Sequence, residues 1–133
     1  MTGSACNGAA DLESPSERTS GVDRNRAGAK EVSVGATIFD DIDVDKGDTT
    51  DWKYVTVPSR GVVTMKITFD NPKALGQMIV TDERGQVLSI YKDENRRVLD
   101  NITFKGETGR YYMQIFAEEN ASSYSLEVTF SSL

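Results

Sequence analysis

The sequence predicts an all-β domain, an antiparallel β-sandwich of jelly-roll type with about eight strands, carried behind a disordered N-terminal tail. Three observations carry this. From Lys30 onward the chain breaks into short β-branched and aromatic runs separated by Gly, Pro, Asn and Asp clusters at roughly ten-residue spacing, the pattern of two sheets that each bury one face. Several runs alternate apolar and polar residues with period two, the mark of a half-buried strand. Residues 1–29, by contrast, are rich in Gly, Ala, Ser and charge and hold only Met1, Leu12 and Val22 as sizeable aliphatics. Such a segment cannot bury enough apolar surface to offset its ordering entropy. The 133 residues therefore divide into a tail or linker over 1–29 and one domain over 30–133.

The elements follow in order. A first strand is expected over 31–39, EVSVGATIF, with Val32, Val34 and Ile38 on one side. An Asp-rich connection leads to WKYVTV at 52–57, which stops at Pro58 because proline cannot donate to a ladder. Ser59, Arg60 and Gly61 make a turn. Over 62–69, Val63, Met65, Ile67 and Phe69 face one way and Val62, Thr64, Lys66 and Thr68 the other. Asp70, Asn71 and Pro72 break that strand, and 76–81 resumes with Met78 and Val80 inward. DERGQ at 82–86 reads as a hairpin turn with Gly85 at positive φ, returning through 87–91.

A charged loop over 92–97 precedes a strand over 98–104 with Ile102 and Phe104 inward. After a turn at 105–109 come the two most regular strands. Tyr111, Met113 and Ile115 face the core on the first; Tyr124, Leu126, Val128 and Phe130 do so on the second. No helix is required, and no internal repeat is present.

Composition removes whole classes of chemistry. The net charge of −6 argues against binding a phosphate backbone, which needs clustered Lys and Arg to release counterions. With no histidine and one cysteine, Ser-His-Asp and Cys-His nucleophile systems and His-based zinc sites are absent. No pair of acidic residues falls in a recognisable acid–base arrangement, so no catalytic residue is assigned and the chain is read as a non-enzyme. No run approaches the roughly 18 apolar residues of a membrane span. Cys6 has no partner for an internal disulfide, so the fold rests on packing. Asn101 and Asn120 match glycosylation sequons by pattern alone.

Five elements in order carry a resemblance. They are GDTTDW at 47–52, VTVP at 55–58 with the following Gly61, DERGQVL at 82–88, GRYYMQI from Gly109, and SYSLEV from Ser123. Together they resemble the bacterial pre-peptidase C-terminal (PPC) domain family, small modules of secreted proteases, collagenases and envelope proteins, over roughly residues 32–130. The residue after Trp52, a core aromatic in the family, is Lys53 here, and the strand about Met78 reads GQMIVTD in place of alternating leucines and aspartates. The resemblance implies a jelly-roll-like sandwich that binds, spaces or assembles and does not catalyse.

Three candidate sites emerge. Residues 39–51 hold six aspartates against a single Lys46, and convergent carboxylates are what Ca²⁺ binds. The spacing is not an EF-hand. Calcium-binding collagenase members of the family use aspartates in this loop, and the resemblance carries that role to Asp48 and Asp51, with Asp45 and Asp43 beside them. The alternative is a solvated acidic loop that blunts a sheet edge. Second, if Val55 and Val57 point inward, Trp52 and Tyr54 point outward, joined by Tyr112 and Phe116 on the late strand. Outward aromatics supply large, low-entropy contact area for a protein, peptide or glycan partner; the alternative makes Trp52 and Tyr54 core residues.

Third, TGSAC at 2–6 looks like the end of a bacterial lipobox, which makes Cys6 the lipid-modified residue of a tethered lipoprotein; the alternative is an incidental cysteine. The expectation is an extracytoplasmic module, periplasmic or on the cell surface and anchored at the outer membrane through Cys6, that contacts a protein partner of a surface or secretion complex. The competing expectation is a calcium-stabilised accessory module for glycan or matrix protein, belonging to a larger secreted enzyme.

Overall fold

A computed structural model describes residues 24–92 and 100–133. Nine strands form two sheets that face one another, and among the described residues no helix is long and apolar enough to cross a membrane. The strands are β1 (Lys30–Glu31), β2 (Thr37–Asp43), β3 (Thr50–Val57), β4 (Gly61–Phe69), β5 (Gln77–Thr81), β6 (Val87–Lys92), β7 (Asp100–Gly106), β8 (Gly109–Phe116) and β9 (Ala121–Ser132). One sheet has the order β1-β3-β8-β5-β6 and the other β2-β9-β4-β7. Short 3₁₀ turns lie at Arg26–Gly28, Val44–Lys46 and Pro72–Ala74.

Alternation places the core as expected. Val63, Met65, Ile67 and Phe69 of β4, Met78 and Val80 of β5, Tyr111, Met113 and Ile115 of β8, and Tyr124, Leu126 and Val128 of β9 are buried between the sheets. Each residue with the opposite parity is driven outward by the pleat. Phe69 packs against both Tyr91 and Tyr124, with ring centroids 6.4 and 5.7 Å apart. The hairpin at 82–86 forms as expected, with Gly85 at φ 87 and Asp82 Oδ1 accepting from the backbone N–H groups of Arg84 and Gln86.

The expected strand over 31–39 is two strands in different sheets. β1 runs parallel to β3, and Val32 N–H continues that ladder by donating to Tyr54 O at 2.8 Å. Three residues later Gly35 N–H donates to Val128 O at 2.7 Å, and β2 goes on antiparallel to β9. The chain crosses from sheet to sheet between these points, so Val32 is buried while Val34 is exposed. Among the described residues the count is nine strands, and the first sheet is mixed, with one parallel pair. A period-two pattern reads the same on either side of such a crossing, which is why it looked like one strand.

Candidate contact face and acidic loop

The pleat puts Asp51, Lys53, Val55 and Val57 of β3 inward, and therefore Trp52 and Tyr54 outward. On β8 the same rule sends Tyr112, Gln114 and Phe116 outward. Antiparallel register then gathers them: Tyr54 lies opposite Tyr112, Trp52 opposite Gln114, and Thr50 opposite Phe116. All four aromatics expected to contact a partner thus stand half-buried on the outer face of one sheet. β5 and β6 extend the face, with Ile79 opposite Gln114 and Ile90 opposite Ile79. Those isoleucines are contact candidates that sequence reasoning missed. Their signal was present: Met78 and Val80 inward force Ile79 outward.

The Tyr54 and Tyr112 rings sit 5.9 Å apart, tilted by 45°. Each carries a guanidinium: Arg110 lies 4.3 Å over Tyr54 and Arg26 lies 4.3 Å over Tyr112. The Tyr112 hydroxyl oxygen accepts from the Arg110 guanidinium, and with the neighbouring Tyr54 and Glu31 this raises the already high arginine pKa. Arg26 and its 3₁₀ turn belong to the segment expected as tail; here they lie against the sheet.

The other sheet presents a different exterior. Thr64, Lys66 and Thr68 of β4 face outward with Ser123, Ser125, Glu127 and Thr129 beside them on β9. Thr64 and Thr103 hydroxyls lie 3.4 Å apart across β4 and β7. Phe39, 81% exposed on the edge strand β2, is the one large aromatic on that side among the described residues.

The acidic residues divide. Asp43 and Asp48 come together, each donating its N–H to the other's carbonyl at 2.8 and 2.9 Å around the turn Val44–Lys46. Asp43 Oδ1 is buried there and accepts no hydrogen bond from the described residues. Asp45 is exposed on the turn itself. Asp51 leaves the group altogether: it is 3% exposed, points between the sheets, and accepts from the Tyr124 hydroxyl at 2.6 Å. Its neighbour in phase, Lys53, is also buried and donates to Asp40 Oδ2 at 2.7 Å. Asp40 consequently titrates below its ordinary 3.8: burial pushes it up, but the Lys53 bond, the Asp41 N–H and the charges of Lys53 and Lys30 outweigh burial.

The D-x-x-D spacing of Asp48 and Asp51 therefore spans a loop and a core position. Among the described residues no group of three or more His, Cys, Asp or Glu side chains is placed to hold a metal ion. What forms there instead is a groove of about 1050 Å³, lined among others by Asp41, Asp43, Asp48, Asp70, Asn71 and Lys73. Its walls come from three distant stretches of chain, and no sequence spacing announced it. Cys6 lies outside the described residues.

Two comparisons, with family models and with curated proteins, yield no match. Solved structures do match. The chain is similar to the pre-peptidase C-terminal domain of collagenase from Bacillus anthracis, at a TM-score of 0.65 and 17% identity, over 76% of this chain and 94% of that one. It is also similar to the Yersinia pseudotuberculosis-derived mitogen, at a TM-score of 0.53 and 14% identity, over 72% and 85% of the two chains. The fold is that of the PPC sandwich, as the sequence motifs implied.

Proposed function

We propose that this chain is a non-enzymatic extracytoplasmic binding or assembly module that contacts a protein partner of a cell-surface or secretion complex through the outer face of the β1-β3-β8-β5-β6 sheet. One observation carries the reading: Trp52, Tyr54, Tyr112, Phe116, Ile79 and Ile90 share one exterior, while on the opposite exterior Thr, Ser, Lys and Glu dominate the central strands β4 and β9, with Val62 among them and Phe39 on the edge strand β2. Aromatic residues with little rotamer freedom concentrate binding energy, whereas hydroxylated strands stay hydrated. The reading includes a lipid anchor at Cys6, which places the domain in the periplasm or at the surface on the outer membrane, with the tail as tether.

A photo-crosslinking amino acid at Gln114, in the middle of the aromatic face, should capture a specific partner in the native host, and the same group at Lys66 on the opposite face should not. Trp52→Ala with Phe116→Ala should abolish the Gln114 product. Equal capture from both positions, or from neither, would overturn the assignment of the face. Mass analysis of the mature N-terminus decides the anchor separately: an acylated Cys6 supports it and an unmodified one removes it.

The second reading, a calcium-stabilised accessory module for glycan or matrix protein, rests on Asp43 Oδ1, buried without a donor among the described residues where Asp43 and Asp48 line the groove. Two carboxylates fall short of the six to eight oxygens Ca²⁺ takes, so backbone carbonyls and water would complete the shell. A melting temperature that rises in millimolar calcium and ceases to rise in Asp43→Asn supports this reading; an unchanged melting temperature eliminates it.

A further inference from the structure

The two tyrosines on the contact face are each already stacked by an arginine, and the two arginines differ in kind. Arg110 belongs to β8 itself and lies directly opposite Thr56 of β3. Its backbone N–H donates to Glu83 Oε1 at 2.7 Å, so it is built into the sheet. Arg26 reaches Tyr112 from outside. It sits in a 3₁₀ turn none of whose residues is buried, closed locally by Asn25, which accepts from Gly28 N–H at 3.0 Å. The Arg26 guanidinium covers the Tyr112 ring and donates through Nη2 to the carbonyl of Glu83. A ring face and a carbonyl at its rim are the two things a planar guanidinium needs, one for stacking and one for its in-plane N–H groups.

We propose that Tyr112 and the Glu83 carbonyl form a guanidinium seat, that Arg26 is its resident occupant in the isolated chain, and that an arginine of a protein partner displaces Arg26 on binding. The proposal rests on the reading of this face as the contact surface. Charge favours the exchange. The chain carries a net −6, and Glu31 and Glu83 border the tyrosine pair, where Arg26 and Arg110 already lie over rings, so a cationic segment is drawn to this part of the face. Geometry favours it too. An incoming arginine finds ring, carbonyl and neighbouring Tyr54 already placed, and the turn Arg26–Gly28 that it displaces surrenders no buried side chain. Lysine is a poorer fit, because a compact ammonium cannot stack its plane on the ring while bonding at the rim.

The test uses the full chain and the peptide acetyl-Gly-Arg-Gly-Arg-Gly-amide, with a citrulline analogue that keeps the planar group but loses the charge. In the free protein the Arg26 side-chain protons should be shifted upfield by the Tyr112 ring current. Titration with the arginine peptide should return them to solvent values while the Tyr112 ring signals stay perturbed. Arg26→Ala, which removes the competitor, should bind the peptide about threefold tighter, and the citrulline peptide should bind about tenfold more weakly than the arginine peptide. Arg26 signals unmoved by saturating peptide, equal affinity of wild type and Arg26→Ala, or equal binding of the two peptides would each overturn the seat. If the seat fails while Gln114 still crosslinks a partner, the face remains the contact surface and recognises something other than guanidinium; if both fail, the face itself is lost.

Discussion

Asp40→Ala should destabilise the domain more than Lys53→Met, although both substitutions break the same ion pair. The two partners are unequally buried: the Lys53 side chain is 4% exposed and that of Asp40 32%. Methionine keeps most of the lysine stem, removes the buried charge, and leaves Asp40 near enough to water to be rehydrated. Its cost should be about 1 kcal/mol or less. Alanine at 40 instead takes the carboxylate from 2.7 Å beside an ammonium sealed between the sheets. Breaking a fully buried pair costs about 3–5 kcal/mol, and about 2–3 is expected here because Asp40 is partly solvated and Lys53 makes other contacts. For a domain of this size the two variants should differ in melting temperature by roughly 5–10 °C. Urea denaturation with a common m-value measures the difference directly. An Asp40→Ala variant as stable as Lys53→Met, or more stable, would show that Lys53 is not held by this carboxylate.

Tyr124→Phe should cost about 1.5–3 kcal/mol in the same urea assay, because it removes the hydroxyl that donates to the buried Asp51 carboxylate at 2.6 Å; a neutral result would mean the bond is replaced at once by another donor. Gly61→Ala should cost at least about 1–3 kcal/mol, since a Cβ there would stand 2.4 Å from the Ser131 carbonyl and 2.5 Å from the Phe130 ring, and the β4–β9 ladder would have to open; an unchanged melting temperature would contradict that register. The depressed pKa of Asp40 has a definite sign. Its contribution is complete above 3.8 and is lost as pH falls through the lower folded value, so wild type should lose its advantage over Asp40→Asn in the acid range below about pH 4, and parallel melting curves across that range would refute the linkage.

Much of the fold was legible because a strand's side-chain period is local. The inward sets of β4, β8 and β9 followed from sequence alone, and the outward placement of Trp52 and Tyr54 followed from Val55 and Val57. The same parity applied two and four residues further back puts Lys53 and Asp51 inside. Family spacing pointed to Asp51 as a loop ligand, and in the structure the strand's parity prevails. The split of 31–39 was illegible for the opposite reason. Alternation says which residues share a side but not which sheet supplies that side, and only the hydrogen bonds to Tyr54 and Val128 distinguish the two.

The chain by itself thus determined its β class, its turns and the inward or outward sense of most side chains, all set by the pleat and by residues within a few positions. Only the tertiary structure decided which strands adjoin. That choice brings Tyr112 opposite Tyr54, carries Tyr124 to Asp51 across 73 residues, sets Arg26 over Tyr112, and draws Asp43, Asp70 and Ser123 to one groove. The physical reason is that contacts between strands far apart in sequence are selected by how two sheets close over a common core, and no local propensity encodes that closure.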